Sequence, residues 1–128
     1  MTRRAVSTNN APPAAGAYSQ AIATDDLVFC AGQLGTDPAS GELREGIEAQ
    51  TEQALRNLQA VLDAAGCTFA DVAKTTCFLA DIDDFAAFNE VYRGFVADPP
   101  PARSTFQVAA LPKGGRVEIE AIAVRPRA

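Results

Sequence analysis

The residues best placed to do chemistry in this chain are an arginine and two glutamates in two short runs. Arg103 lies in Pro101-Ala102-Arg103-Ser104-Thr105-Phe106-Gln107-Val108, and Glu118 and Glu120 lie in Val117-Glu118-Ile119-Glu120-Ala121-Ile122-Ala123. Both runs alternate in polarity, as half-buried strands do, because successive side chains point to opposite faces of a sheet. Arg103, Thr105 and Gln107 share one face of the first run, and Glu118 and Glu120 share one face of the second. Residues 109–116, with Pro112, Gly114 and Gly115, form a turn-rich connector. The spacing therefore predicts a hairpin that brings the arginine and both carboxylates onto one surface. Charge inside a strand is costly unless its face is wet or paired. A guanidinium fork matches a carboxylate bidentately, and a nearby Glu can orient or deprotonate a water, so a site for small carboxylates fits. A plain cross-strand ion pair, contributing well under ~1 kcal/mol, fits as well. The pattern alone leaves both readings open.

Positioning these residues requires a sheet. Strand-like runs fall at residues 4–8, 18–23, 27–34 and 72–80, besides the two above. Thr24-Asp25-Asp26 is a turn signal, so the second and third runs read as a hairpin. Gly32 interrupts the third run, where glycine marks a bulge or a close approach to the backbone. Residues 47–65 carry the strongest helical pattern, with Ile47, Leu55, Leu58, Val61 and Leu62 on one stripe. Glu48 suits the positive end of that helix, and Gly66 stands where a left-handed residue closes it. The acids of Asp81-Ile82-Asp83-Asp84 suit a second helix start, after which Phe85, Phe88, Val91, Tyr92 and Phe95 recur at helical spacing. Such an aromatic stripe reads as core rather than as a cofactor box. Pro99-Pro100-Pro101 ends the helix and leads, extended, into Arg103. The order β-β-β-α-β-α-β-β indicates an α+β domain with both helices on one face of a mixed sheet. The other face would carry Arg103, Thr105, Glu118 and Glu120 beside Ile122 and Val124. A face part apolar and part charged points to burial against another subunit.

Bulk properties narrow the function classes. At 128 residues with 48% hydrophobic and 21% charged content, the chain reads as one globular domain over residues 1–128. A net charge of -5 argues against nucleic acid as the natural partner. No apolar run approaches the about 18 residues that span a bilayer, so no membrane association is expected. Met1-Thr2-Arg3-Arg4 is not followed by the apolar core of a secretory signal, and a cytoplasmic protein is expected. The absence of histidine excludes Ser-His-Asp and Cys-His catalysis and imidazole-based zinc sites. Cys30, Cys67 and Cys77 are an odd count with no Cys-x-x-Cys pair, so they read as small buried side chains rather than disulfides or a zinc cluster.

Several of these segments together resemble the RidA/YjgF family of enamine and imine deaminases. They are Pro101-Ala102-Arg103-Ser104, Val108-Ala109-x-Leu111-Pro112-Lys113 and residues 117–123, with Ala17-Tyr18-Ser19-Gln20, Ala31-Gly32-Gln33, Gln53-Ala54-Leu55-x-Asn57-Leu58, Ala64-Ala65-Gly66, Lys74-Thr75-Thr76 and Asp84-Phe85-x-x-x-Asn89. The resemblance implies a chorismate-mutase-like α+β fold, a six-stranded mixed sheet with two helices on one face, assembled as a homotrimer with sites between subunits. It implies hydrolysis of 2-imino and enamino acids of the 2-aminoacrylate type to 2-keto acids and ammonia, with no metal and no cofactor. It implies that Arg103 clamps the substrate carboxylate, that Glu118 positions the attacking water and relays protons, and that main-chain groups at Gly32 and Thr105 hold substrate and water. Tyr18 from the adjacent subunit would line the pocket, with Phe85 and Asn89 further out, and Glu120 would be structural. Three departures bear on substrate preference: Thr105 where many members carry Cys, Ala31 in place of a frequent Ser, and Ala17 in place of the usual Pro. Two other readings stand beside hydrolysis. One is a non-catalytic trimer that binds small carboxylates or regulates an enzyme; the other is the endoribonuclease activity once ascribed to the family.

Overall fold

A computed structural model of the chain describes residues 2–126; positions 1, 127 and 128 of the domain expected over 1–128 lie outside the described residues. Six strands form one mixed sheet: β1 (Arg4–Val6), β2 (Ala21–Ala23), β3 (Leu27–Leu34), β4 (Val72–Leu79), β5 (Ala102–Gln107) and β6 (Val117–Val124). Two helices, α1 (Ile47–Ala64) and α2 (Phe85–Tyr92), pack on one of its faces, and the expected α+β architecture with its element order is present. The predicted β2–β3 hairpin is present too. Tyr18 stands in the loop before β2 rather than in the strand, and α2 ends at Tyr92, short of Phe95. Among the described residues no helix is long and apolar enough to cross a membrane.

The sheet order, β1-β2-β3-β6-β4-β5, overturns the expected hairpin between the last two strands. The chain leaves β4, crosses over through α2 and returns as β5 parallel to β4, as a strand–helix–strand unit does. β6 then inserts between β3 and β4, antiparallel to both. The physical reason lies in the two sequences. Val117, Ile119, Ala121 and Ala123 make one face of β6 fully apolar, and burying them in the middle of the sheet leaves each at most 3% exposed. β5, with Arg103, Ser104, Thr105 and Gln107, is the more polar strand and takes the edge.

α1 holds the sheet from behind. Leu55, Leu58, Val61 and Leu62 are buried against it, and the helix closes where expected, with Gly66 at φ 79° and Cys67 N–H donating to the Leu62 carbonyl. The other side of α1 makes a polar tie to the strand ends. Asn57 donates from Nδ2 to the Leu34 carbonyl at 3.1 Å and the Thr36 carbonyl at 2.8 Å, and accepts from Gln53 Nε2 at 2.8 Å. Gln50 accepts the Arg116 N–H at 2.9 Å, which ties the entry of β6 to the same helix. Asn57→Ala would leave buried carbonyls unpaired and should lower unfolding stability by about 1–3 kcal/mol, read as a fall in the urea midpoint. An unchanged midpoint would contradict the role given to this tie.

Candidate active site

Arg103 sits on the edge strand β5, and the ladder fixes its direction. Residues paired across adjacent strands point to the same face. Arg103 pairs with Thr75, and Thr75 pairs on its other side with Ala121, which lies beneath the helices. Arg103 therefore points into the helix layer. There Nη1 donates to Asn89 Oδ1 at 2.7 Å. The guanidinium carbon lies 4.7 Å from the ring centre of Tyr92, 5.4 Å from Phe85 and 5.7 Å from Phe88. All four partners come from α2, whose residues 85, 88, 89 and 92 share one helical face. Aromatic faces attract a cation but accept no conventional hydrogen bond from it, so most of the five guanidinium donors have no acceptor among the described residues. Among the described residues Arg103 makes no ion pair. It borders, with Asn89, Tyr92 and Pro101, a cavity of about 360 Å³.

Thr105, two residues further along β5, faces the same way and pairs with Cys77. Its hydroxyl is shielded from solvent and has no hydrogen-bond partner among the described residues. The neighbouring Cys77 offers only a thiol, a weak partner. Burial pushes that thiol up to about 11, against the Thr75 hydroxyl and the Arg103 charge, and burial pushes Cys30 up to about 12. All three cysteines are free and buried, as the spacing predicts.

Glu118 belongs to the opposite face. It pairs with Phe78, which pairs in turn with Phe106, and these two rings meet edge-on at 5.4 Å on the side away from the helices. Across from it the β3–β6 register shifts between Cys30 and Gln33, so Gly32 stands in the bulge expected of it. A Cβ at Gly32 would lie 2.9 Å from both Cγ and Cδ of Glu118, so only glycine lets the carboxylate lie against this backbone. Tyr18, Gly32 and Glu118 line one cavity of about 380 Å³, together with Pro13 and Lys113. Burial raises the Glu118 carboxyl above the usual carboxylate range, and the charge of Glu120 on the same face adds to the shift. Glu120 itself is exposed and makes no ion pair among the described residues.

The sequence-predicted residues thus fall into two clusters. Arg103, Thr105, Phe85 and Asn89 gather under α2, and Tyr18, Gly32 and Glu118 gather on the helix-free face. The expected convergence of Arg103 and Glu118 on one surface of the chain does not occur, because β4 separates their strands and the two side chains point oppositely. Thr105 likewise leaves the helix-free face to which it was assigned. The aromatic stripe of α2 is core, with Phe88 and Tyr92 buried, and it also walls in the guanidinium. Reading it as core alone missed Phe88 and Tyr92. The signal was available, since Asn89 interrupts the apolar stripe with a polar group.

A raised folded-state carboxyl contributes stability below the ordinary Glu value, and that contribution is lost as pH rises through the raised one. Glu118→Gln removes the titration. The variant should melt above the wild type at about pH 7, and the gain should shrink towards about pH 4. Thermal melts across that range check this; a gain that grows on acidification would contradict the assignment.

The geometry can be set beside known proteins. Residues 8–125 match the family model described as Endoribonuclease L-PSP. The 2-iminobutanoate/2-iminopropanoate deaminase of Capra hircus is 54% identical over 126 residues, covering 98% of this chain and 92% of that protein. The crystal structure of RidA from the Antarctic bacterium Psychrobacter sp. superposes with a TM-score of 0.92 at 49% identity, covering 94% of this chain and 98% of that one. E. coli TdcF with bound serine superposes with a TM-score of 0.92 at 40% identity, covering 96% and 99%. A family match over nearly the whole length, and relatives this similar, establish that the chain belongs to the RidA/YjgF family.

Proposed function

We propose that this protein hydrolyses 2-aminoacrylate-type enamines, through their imine tautomers, to 2-keto acids and ammonia, in sites shared between the chains of a homotrimer. The observation that carries the reading is Arg103: a guanidinium held by Asn89 and three aromatic rings, bordering a cavity and with no carboxylate partner among the described residues. Such a cation suits a small substrate carboxylate, which a guanidinium binds bidentately. Relatives about half identical to this chain carry the name of a deaminase of this substrate class, which supports the same reading here. The TdcF relative was solved with serine, itself a small carboxylate.

In this reading the iminium carbon is already electrophilic, so orientation and one acid/base suffice. Glu118 takes a proton from water as the oxygen adds to C2, forming a C–O bond and a carbinolamine. It returns that proton to nitrogen, the C–N bond breaks with its electron pair leaving on ammonia, and Glu118 takes the hydroxyl proton as the ketone forms and passes it to the departing ammonia. A carboxyl raised by burial is closer to the working pH for these transfers. Because one chain holds Arg103 and Glu118 on opposite faces, the complete site takes Arg103, Asn89, Phe85 and Thr105 from one subunit. Glu118, Gly32 and Tyr18 come from its neighbour. Phe29, Phe106, Val124 and Tyr18, between 43% and 54% exposed, support a second copy against this part of the molecule. A single domain over residues 1–128 and a cytoplasmic location complete the reading. RNA cleavage, the activity in the family model's description, has less support in a chain without histidine and with net charge -5.

The test is 2-keto acid formation coupled to a dehydratase acting on serine or threonine. Wild-type protein should accelerate it, and Arg103→Ala should lower kcat/KM by about 100-fold or more, as expected for a lost bidentate charge-assisted contact. Glu118→Gln should lower kcat far more than it changes KM. Absence of acceleration by the wild type would overturn the reading.

A further inference from the structure

Arg103 needs more than a place in the sequence to bind a carboxylate. A long side chain with many rotamers loses affinity unless its fork is held beforehand. Asn89 holds one nitrogen, but a single contact leaves the plane of the guanidinium free to turn. The nearest of the three aromatic rings is that of Tyr92, at 4.7 Å. Tyr92 is 4% exposed, and its hydroxyl shares a 2.7 Å hydrogen bond with the hydroxyl of Thr75, which is itself 1% exposed. Thr75 is the residue directly paired with Arg103 in the β4–β5 ladder. The contacts therefore close a ring: from the Arg103 backbone across the ladder to Thr75, through its hydroxyl to Tyr92, and from the Tyr92 ring back to the guanidinium. Phe88, one turn earlier and fully buried, fills the core without any such tie. The phenol hydroxyl thus does something packing does not require. It fixes the tilt of the ring on which the cation rests.

We infer that Tyr92, tied to Thr75, is a positioning residue that holds the Arg103 guanidinium in the orientation that receives the substrate carboxylate. This rests on the deaminase reading above, in which Tyr92 is only one of three rings around the guanidinium, and gives its hydroxyl a separate role. Positioning acts on ground state and transition state alike, because the carboxylate is held in both. Its loss should therefore appear in binding and KM rather than in kcat.

The experiment measures pyruvate binding by calorimetry and steady-state kinetics in the dehydratase-coupled assay, for Tyr92→Leu, Tyr92→Phe, Thr75→Val and Arg103→Ala. Tyr92→Leu should raise both Kd for pyruvate and KM about tenfold, the size of a desolvated cation–π contact, with kcat within about threefold. Tyr92→Phe keeps the ring but loses the tie and should raise both values about threefold, short of the leucine variant; wild-type values in Tyr92→Phe would show that the hydroxyl does not position the ring and would overturn the inference. Thr75→Val should match Tyr92→Phe, since both break the same hydrogen bond. Tyr92→Met replaces the leucine variant if that one does not fold. Unchanged Kd in Tyr92→Leu, or a loss confined to kcat, would overturn the inference. Arg103→Ala separates the two levels. If it binds pyruvate as the wild type does, the carboxylate reading itself fails. If it loses binding while Tyr92→Leu does not, only the positioning role fails.

Discussion

Residues paired across a ladder must point to one face, and in this sheet that constraint keeps Arg103 and Glu118 apart. Thr75 carries the direction of Arg103 to Ala121, under the helices, while Phe78 carries the direction of Glu118 to Phe106, away from them. No side-chain rotation can undo this, because a pleated strand alternates with a period of two. Everything functional in the molecule follows from it. Arg103 lies on one face and Glu118 on the other, and neither face has both.

Each half is also electrostatically incomplete in its own way. Arg103 has a polarisable aromatic wall and one amide, with its charge unmatched by any described carboxylate. Glu118 has a bulged glycine backbone against its stem, a second carboxylate on the same face, and no cation paired with it among the described residues. Arg44, Arg56, Arg93 and Arg116 each have a carboxylate partner, the last of them Asp84 at 2.9 Å. Leaving two half-buried charges unpaired opposes folding of the isolated chain. In the proposed site, a substrate with a carboxylate at one end and an imine carbon beside it would supply what both halves lack. In the proposed assembly a neighbouring subunit would bring the two halves within reach of that substrate.

Much of the scaffold was legible in the sequence. The stripe of α1, its closing glycine, the bulge at Gly32 and the buried cysteines all follow from local pattern, because each depends on residues close together in the chain. The facing of β5 was not legible. Alternation fixes which residues of a strand share a face, but strand order and register decide which face that is. The expectation that Arg103 and Thr105 point away from the helices followed the rule that the apolar face of a strand is buried. It fails at β5 because the aromatic face of α2 receives the guanidinium, leaving Phe106 45% exposed. The site residues themselves came from the resemblance, and the pattern would have offered only Arg103, Glu118 and Glu120. The joint role of Phe85, Phe88, Asn89 and Tyr92 is visible only when α2 is set over β5.

The central claim is that a working site joins Arg103 of one chain to Glu118 of another, and subunit mixing tests it most directly. Arg103→Ala and Glu118→Gln chains, each inactive alone, would be unfolded together, refolded as mixed oligomers and assayed for imine hydrolysis. Independent mixing of equal amounts should restore about a quarter of the wild-type sites, those pairing an intact Arg103 with an intact Glu118 across an interface. Activity no greater than that of the two variants refolded separately would contradict the claim.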